Sequence, residues 1–155
     1  TRFENFVTCL VALQSRQQKP LTTYFPEIAT AVGEAVPASS VLDGELVGYR
    51  GGRCDFAALQ RRITGRPRLA SPVTFVVFDL LVLAGDDLRA LPYRKRRKHL
   101  RRLLAAAEGA DDGVIHDADV GDASRPRRRG AGRGLVVRGW RSARQGADRV
   151  MIIRR

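Results

Sequence analysis

Apolar runs alternate with polar stretches that contain glycine and proline along most of the chain. Runs rich in β-branched and aromatic residues predict strands at 7–13, 41–49 and 72–83, and shorter ones at 114–116, 135–137 and 150–153. Apolar residues at helical spacing predict helices at 26–36, 55–63 and 92–107. Turns at 51–52 and 85–86 and loops at 64–71 and 121–133 separate these elements. This order of elements predicts an α+β fold with mainly antiparallel pairing.

The composition limits the class of protein. At 155 residues, the chain has the length of one domain or of a fragment of a larger one. The hydrophobic share of 44% excludes a disordered tail, and no apolar run reaches the ~18 residues of a transmembrane helix. Cys9 and Cys54 cannot form a disulfide framework, and neither lies in a CxxC pair that indicates zinc. No secretory signal opens the chain, so we expect a reducing, cytoplasmic location.

The basic residues predict a polyanionic partner. The chain has 28 basic and 16 acidic residues and a net charge of +12, and only three of the basic residues are lysines. This charge is typical of nucleic-acid binding, although codon usage in a GC-rich genome also favours arginine over lysine. The excess is concentrated at 94–102, at 125–130 and near the C-terminus. In the helix predicted at 92–107, we expect Leu100, Leu103 and Leu104 to face inward and the basic residues outward.

Two acidic residues interrupt the apolar run at 41–49. Asp43 and Glu45 flank Gly44, and a separation of two places both side chains on the same face of a strand. A carboxylate in such a strand lowers stability unless it faces a ligand, a metal ion or a partner. The pair therefore suits Mg²⁺ or ribose hydroxyl groups, and the alternative is a solvated edge strand.

Two further positions carry candidate chemistry. Phe78 precedes Asp79 in the longest apolar run, where regular alternation predicts that Phe78 shares a face with Leu80 and Asp79 a face with Leu81. Phe78 can stack on a nucleobase, and the alternative is an ordinary core aromatic. Arg16, at the end of the first strand, can bind a phosphate, and the alternative is a surface arginine. The sequence shows no Ser/His/Asp set and no GxxxxGK[ST] phosphate loop.

The motifs and their order resemble the adenylation (nucleotidyltransferase) domain of bacterial ATP-dependent DNA ligases, above all those linked to end-joining repair. The matching stretches are 13–16 (LQSR), 21–28 (LTTYFPEI), 41–47 (VLDGELV), 55–62 (DFAALQRR), 75–81 (FVVFDLL) and 91–97 (LPYRKRR). The resemblance implies a partial nucleotidyltransferase (ATP-grasp-like) fold with antiparallel sheets flanked by helices. It divides the chain into a partial adenylation domain at 1–120 and a basic, degenerate end of the same domain at 121–155, without an OB-fold domain.

The resemblance also implies an activity, which is the sealing of nicks in DNA repair and recombination. Its cofactors would be ATP and Mg²⁺, and its partner would be nicked double-stranded DNA; no membrane partner is expected. In the family, a lysine takes AMP from ATP, the AMP passes to the 5′-phosphate of the nick, and the 3′-hydroxyl displaces it. Glu45 matches the glutamate of the family's Asp-Gly-Glu motif, which supports nucleotide and metal binding. Phe78 matches the aromatic that stacks on adenine, and Arg16 matches the arginine that contacts phosphate at the nick.

The sequence departs from the family at its reactive positions. No Lys-x-Asp-Gly motif occurs, so no catalytic nucleophile is assigned. In the family's Glu-Gly-x-Val-x-Lys motif, Arg133 stands for the acid and Arg138 for the lysine, and Ile152 replaces a lysine of the last motif. We therefore expect a truncated ligase fragment without autonomous activity. The alternatives are a non-catalytic basic DNA-binding accessory module that uses 94–102, and a remnant without function.

Overall fold

A computed structural model describes residues 11–50, 53–65, 72–107, 115–117 and 148–154. The strands of this part are β1 (Val11–Ser15), β2 (Ser40–Arg50), β3 (Arg53–Cys54), β4 (Val73–Leu83), β5 (Asp86–Asp87), β6 (Ile115–Asp117) and β7 (Asp148–Arg154). The α-helices are α1 (Pro26–Ala35), α2 (Phe56–Thr64) and α3 (Tyr93–Ala107), and a 3-10 turn covers Thr22–Tyr24. The predicted long strands and helices are confirmed within these ranges. Residues 7–10, the turn at 51–52, the loop at 121–133 and the strand at 135–137 lie outside them.

The strands form one sheet in the order β1-β7-β2-β4-β5, in which every pair of neighbours is antiparallel. β3 pairs antiparallel with the end of β2, and β6 lies parallel to β4. The predicted α+β class with mainly antiparallel pairing is therefore confirmed, and β6 is its parallel exception. β7 comes from the end of the chain, yet it lies between β1 and β2.

The helices cover a single apolar core. α1 contributes Ile28 and Val32, and α3 contributes Leu100 and Leu104. The strands contribute side chains from β1, β2 and β4 to the same cluster, namely Val11, Leu13, Leu42, Leu46, Val73, Phe75, Val77 and Leu80. None of the described helices is both long and apolar enough to span a bilayer.

Local sequence features explain where these elements begin and turn. Pro26 occupies the first turn of α1, where its missing N–H leaves no hydrogen bond unmade. The Asp55 carboxylate accepts a hydrogen bond from the Ala58 backbone N–H at 3.1 Å and so caps α2. Between β4 and β5 the turn residues are Ala84 and Gly85, with φ of 49° and 90°. The turn therefore lies one residue earlier than predicted.

Candidate nucleotide and DNA site

One row of paired residues crosses the middle of the sheet and locates the candidate site. Ser15 of β1 pairs with Val150 of β7, Val150 pairs with Gly44 of β2, and Gly44 pairs with Val77 of β4. These four residues are called the site row below. At about 4.8 Å between neighbouring strands, the row extends about 14 Å across the sheet.

Each predicted site residue directly follows a member of the site row. Arg16 follows Ser15, Glu45 follows Gly44, and Phe78 follows Val77. Because β1 and β2 are both antiparallel to β7, they run in the same direction, and Arg16 and Glu45 lie on the same side of the row. β4 runs in the opposite direction, so Phe78 lies on the other side. The sheet thus brings three distant parts of the sequence to one row.

Gly44 is fixed by a close approach on the core side of the sheet. A Cβ at this position would lie 2.4 Å from the Val76 carbonyl oxygen and 2.6 Å from Cε2 of Phe75. The core side of β2 is therefore full at residue 44. Because side chains alternate along a strand, Asp43 and Glu45 lie on the opposite face, and the Oε2 atom of Glu45 is buried there. The glycine between the two carboxylates is therefore explained by packing.

A bulge in β4 determines the position of Phe78. Asp79 pairs with Asp43 and Val77 with Gly44, so Phe78 is an extra residue between two consecutive pairs. Leu81 is the extra residue of a second shift, between the pairs of Leu80 and Val82.

The bulge overturns the predicted alternation along this strand. Val77 and Leu80 both belong to the core, although regular alternation would place them on opposite faces. Phe78 is half-buried and neither belongs to the core nor packs against it. The prediction that Phe78 and Leu80 share one face is therefore wrong. The interpretation of Phe78 as a core aromatic is also wrong.

The first turns of α3 hold this bulge through side chains that we call the α3 clamp, namely Tyr93, Arg96 and Arg97. The Tyr93 hydroxyl donates a hydrogen bond to the Phe78 carbonyl oxygen at 3.0 Å, and Nη1 of Arg97 reaches the same oxygen at 3.4 Å. A bulge removes a carbonyl from the regular ladder of the sheet, and these donors satisfy it. The backbone of Phe78 is thereby tied to the helix.

Arg96 binds the neighbouring residue, Asp79. Its Nε and Nη2 atoms donate to the two carboxylate oxygens, each at 2.8 Å, and its Nη1 atom donates to the Leu91 carbonyl oxygen at 2.7 Å. The hydrogen bonds that Arg96 donates to Asp79 raise the pKa of Arg96 above its usual value. Asp79 is therefore a structural carboxylate, which the Arg96 guanidinium of α3 binds. Asp43 lies opposite Asp79 on the neighbouring strand, and the positive charge of Arg96 offsets the repulsion between these two carboxylates.

The α3 clamp corrects the prediction that the basic residues of this helix face outward. Arg97 is 8% exposed, and the Arg96 side chain is 16% exposed. A signal in the sequence identifies these positions, because Arg96, Leu100 and Leu104 recur at four-residue spacing and so share one face of a helix. The inward face of Leu100 and Leu104 is confirmed, but sequence reasoning missed that Arg96 and Arg97 also face inward, because the run of charges dominates the pattern.

A second buried arginine was also missed. Arg62 of α2 forms a two-point ion pair with Glu27 in the first turn of α1 and donates to the Tyr24 carbonyl oxygen at 2.8 Å. Its guanidinium lies 4.9 Å from the centre of the Phe25 ring. These contacts join α2 to the start of α1. They explain why Arg62 is buried without any ligand.

Arg16 lies in the turn that follows β1. The Ser15 N–H donates to the Lys19 carbonyl oxygen at 2.9 Å, and the Lys19 N–H donates to Ser15 Oγ at 3.1 Å. Gln18 has a φ of 62°, which closes this turn. Arg16 is exposed between these contacts. The turn therefore presents its guanidinium to solvent beside the site row.

The described residues contain no group of three or more His, Cys, Asp or Glu side chains arranged to hold a metal ion. Mg²⁺ commonly binds proteins through one or two carboxylates and completes its coordination with water and substrate phosphates. Glu45, whose Oε2 atom is buried, is therefore the candidate carboxylate ligand for this ion.

Comparisons with known proteins point to one family. The model of the ATP dependent DNA ligase domain matches residues 8–121. DNA ligase C of Mycobacterium tuberculosis is 37% identical over 112 residues, which cover 68% of this chain and 31% of that protein. DNA ligase C2 of Mycolicibacterium smegmatis is 40% identical over 103 residues, or 63% of this chain and 29% of that protein. The bifunctional non-homologous end joining protein LigD of Bacillus subtilis is 36% identical over 113 residues, which cover 63% of this chain and 18% of that protein.

The chain spans less than a third of the length of each of these relatives. The matched segment includes Arg16, Glu45 and Phe78, together with α1, α2 and α3. The family model covers most of the chain, and three of the stretches within it, 13–16, 41–47 and 75–81, meet at the site row. The chain therefore belongs to the ATP dependent DNA ligase domain family.

Proposed function

We propose that this chain is the adenylation part of an ATP-dependent DNA ligase that acts on nicked duplex DNA in repair and recombination. The observation that carries the proposal is the site row, because Arg16, Glu45 and Phe78 each directly follow one of its members although they come from three separate parts of the sequence. The name of the LigD relative supports an end-joining context. The finer fold assignment that goes with this proposal is a partial nucleotidyltransferase fold. In this proposal, residues 1–120 form the partial adenylation domain, and the basic segment 121–155 is the C-terminal part of the same domain.

The residues of the site suit a nucleotide. Phe78 is half-buried outside the core, so part of this residue stays accessible to a base. An aromatic ring contributes about 1–3 kcal/mol when a base stacks on it. The α3 clamp restrains the backbone of Phe78, which reduces the entropy lost when adenine binds.

Glu45 is the residue that would hold Mg²⁺ with the nucleotide. Its Oε2 atom is buried on the face opposite the core, and a carboxylate oxygen is the type of ligand that Mg²⁺ prefers. A magnesium ion bound there would offset negative charge on the phosphate oxygens. Arg16, exposed beside the same row, is proposed to contact a phosphate of the nick through its forked guanidinium.

The proposal includes the absence of autonomous ligation by these 155 residues. None of the three lysines stands in a Lys-x-Asp-Gly motif, and arginine cannot replace a lysine nucleophile because it stays protonated at all relevant pH values. Arg133 and Arg138, the positions that depart from the family's later motif, lie outside the described residues. Ile152 lies on β7, where its backbone pairs with Leu13 and Leu42.

Incubation with ATP labelled at the α-phosphate, with and without Mg²⁺, tests the proposal. We expect Mg²⁺-dependent binding that is lost on denaturation, and no labelled protein after denaturing electrophoresis. A covalent adduct would contradict the absence of autonomous chemistry. A lack of any ATP binding would contradict the nucleotide site.

Binding to nicked and intact duplexes of one sequence tests the role of Arg16. We expect Arg16→Ala to remove the preference for the nicked duplex. Arg89→Ala is the matched control, since Arg89 is also exposed and forms its ion pair with Asp87 away from the site row. An unchanged preference in Arg16→Ala would show that Arg16 is an ordinary surface arginine.

A second candidate function is a non-catalytic DNA-binding module, which the exposed basic side of α3 favours. This candidate predicts salt-sensitive binding to duplex DNA without any ATP binding. The same two assays therefore separate it from the first.

A further inference from the structure

The contacts of the α3 clamp differ in how far they are shielded from water. Arg97 is 8% exposed and the Arg96 side chain 16% exposed, whereas Tyr93 is 44% exposed. The Tyr93 hydroxyl nevertheless donates a hydrogen bond to the Phe78 carbonyl oxygen at 3.0 Å. A hydrogen bond that water can replace adds little to the free energy of unfolding. Stability of the fold therefore does not explain this contact.

Other contacts hold the start of α3 against β4. Arg96 binds both carboxylate oxygens of Asp79 at 2.8 Å and the Leu91 carbonyl oxygen at 2.7 Å. Just before the helix, Leu88 is buried, and its N–H donates to the Leu81 carbonyl oxygen at 2.9 Å. The start of the helix is thus anchored to β4 without the Tyr93 hydroxyl. That hydroxyl acts on Phe78 rather than on the placement of the helix.

The Tyr93 ring is itself fixed in place. Tyr93 is the first residue of α3, and it follows Pro92, whose ring fixes the backbone φ there. The Arg96 guanidinium lies 5.7 Å from the centre of the Tyr93 ring, which is a cation–π distance. The hydroxyl therefore extends from a restrained support to the carbonyl oxygen of the extra residue in the bulge.

We propose that Tyr93 is a positioning residue for the nucleobase. Its hydroxyl fixes the backbone of Phe78 and thereby limits the orientations of the ring on which the base stacks. The inference rests on the proposed function, in which Phe78 stacks on adenine, and it names a residue that acts through Phe78. A ring that is already oriented loses less entropy when a base binds to it.

The α3 clamp then divides into a stabilising part and a positioning part. The ion pair of Arg96 with Asp79 is largely buried, so its loss lowers the free energy of unfolding. The Tyr93 hydroxyl is exposed, so its loss changes the orientation of Phe78 and leaves the stability almost unchanged. Tyr93→Phe removes the hydroxyl alone and retains the ring that faces Arg96. The two roles can therefore be separated by experiment.

Isothermal titration calorimetry of ATP with Mg²⁺ compares Tyr93→Phe with the unaltered chain. Tyr24→Phe is the matched control, because Tyr24 is also exposed and its contact with Arg62 uses the backbone carbonyl oxygen, which the change retains. Two further titrations distinguish positioning from a general disturbance. One repeats Tyr93→Phe in a Phe78→Leu background, and the other replaces ATP with inorganic tripolyphosphate, which has no base. Urea unfolding measures the stability of each variant.

We expect Tyr93→Phe to lower the affinity for ATP by roughly 2- to 10-fold, as for the loss of one hydrogen bond. The midpoint of urea unfolding and the affinity for tripolyphosphate should stay unchanged. Tyr24→Phe should bind ATP like the unaltered chain. In the Phe78→Leu background, Tyr93→Phe should have no further effect, because no aromatic ring is left to orient.

Three results would overturn the positioning role of Tyr93. They are an unchanged ATP affinity in Tyr93→Phe, an equal loss in the Phe78→Leu background, and an equal loss for tripolyphosphate. A weaker affinity in Phe78→Leu with no change in Tyr93→Phe would overturn this inference and leave the nucleotide site standing. No ATP binding by the unaltered chain, or an unchanged affinity in Phe78→Leu, would overturn the nucleotide site and this inference together.

Discussion

Replacing Arg96 with methionine tests whether the α3 clamp holds the Phe78 bulge. The change removes both hydrogen bonds to Asp79 and the one to the Leu91 carbonyl oxygen, and it retains much of the apolar stem. The side chains of Arg96 and Asp79 are only 16% and 12% exposed. The Asp79 carboxylate would therefore stay buried beside Asp43 without its guanidinium.

The expected cost follows from this geometry. Removing one member of a buried ion pair lowers the free energy of unfolding by about 3–5 kcal/mol. Neither side chain is fully buried, and the Leu80 N–H still donates to Asp79 Oδ1 at 2.9 Å, so the lower end applies. We expect Arg96→Met to lower the free energy of unfolding by about 3 kcal/mol. Arg102→Met, on the exposed side of the same helix, should change it by less than about 0.5 kcal/mol.

Urea unfolding followed by far-ultraviolet circular dichroism measures these differences, and a double variant separates the ion pair from simple packing. Arg96→Met/Asp79→Leu removes both charges and leaves no buried carboxylate to desolvate. We expect it to be more stable than Arg96→Met alone, with a coupling energy of about 2 kcal/mol. A loss below about 1 kcal/mol in Arg96→Met, or additive losses in the double variant, would refute the clamp.

Two further predictions concern other parts of the fold. Gly44→Ala should lower the free energy of unfolding, measured by urea unfolding, by about 3 kcal/mol. The reason is that a Cβ would lie 2.4 Å from the Val76 carbonyl oxygen, which is a backbone atom and cannot move aside as a side chain can. An unchanged stability would show that the two strands can move apart at this position. Arg89 holds the pKa of Asp87 at about 2, below its usual value, through a side-chain hydrogen bond. The stabilisation by this pair is therefore fully present above the pKa that Asp87 has in the unfolded chain, and it is lost as the pH falls towards 2. An NMR titration of the carboxyl groups in Arg89→Gln should show the Asp87 pKa returning towards its usual range.

The long elements could be predicted from the sequence because local signals fix them. Asp55 caps α2 by a hydrogen bond three residues ahead, and Pro26 opens α1, and both effects depend only on neighbouring residues. The β-rich run at 73–83 and the apolar run at 41–49 were equally clear. Their antiparallel pairing followed from the hairpin-rich order of elements.

The details around the site could not be predicted, because they depend on contacts between distant residues. Regular alternation misplaced Phe78, since the bulge is set by the pairing of β2 with β4 and by donors from α3. Asp79 interrupts an apolar run, and the partner that binds its carboxylate is an arginine 17 residues along the chain. The resemblance in motif order predicts that Arg16, Glu45 and Phe78 belong to one site, and each of them directly follows a member of the site row.

Binding of ATP with Mg²⁺ to a Phe78→Ala variant tests the account most directly. Isothermal titration calorimetry compares it with the unaltered chain and with Phe56→Ala, a matched control because Phe56 is 39% exposed on α2 and outside the site row. Loss of a stacked base of about 1–3 kcal/mol predicts an affinity lower by roughly 5- to 150-fold for Phe78→Ala and an unchanged affinity for Phe56→Ala. Equal affinities for Phe78→Ala and the unaltered chain would contradict the nucleotide site.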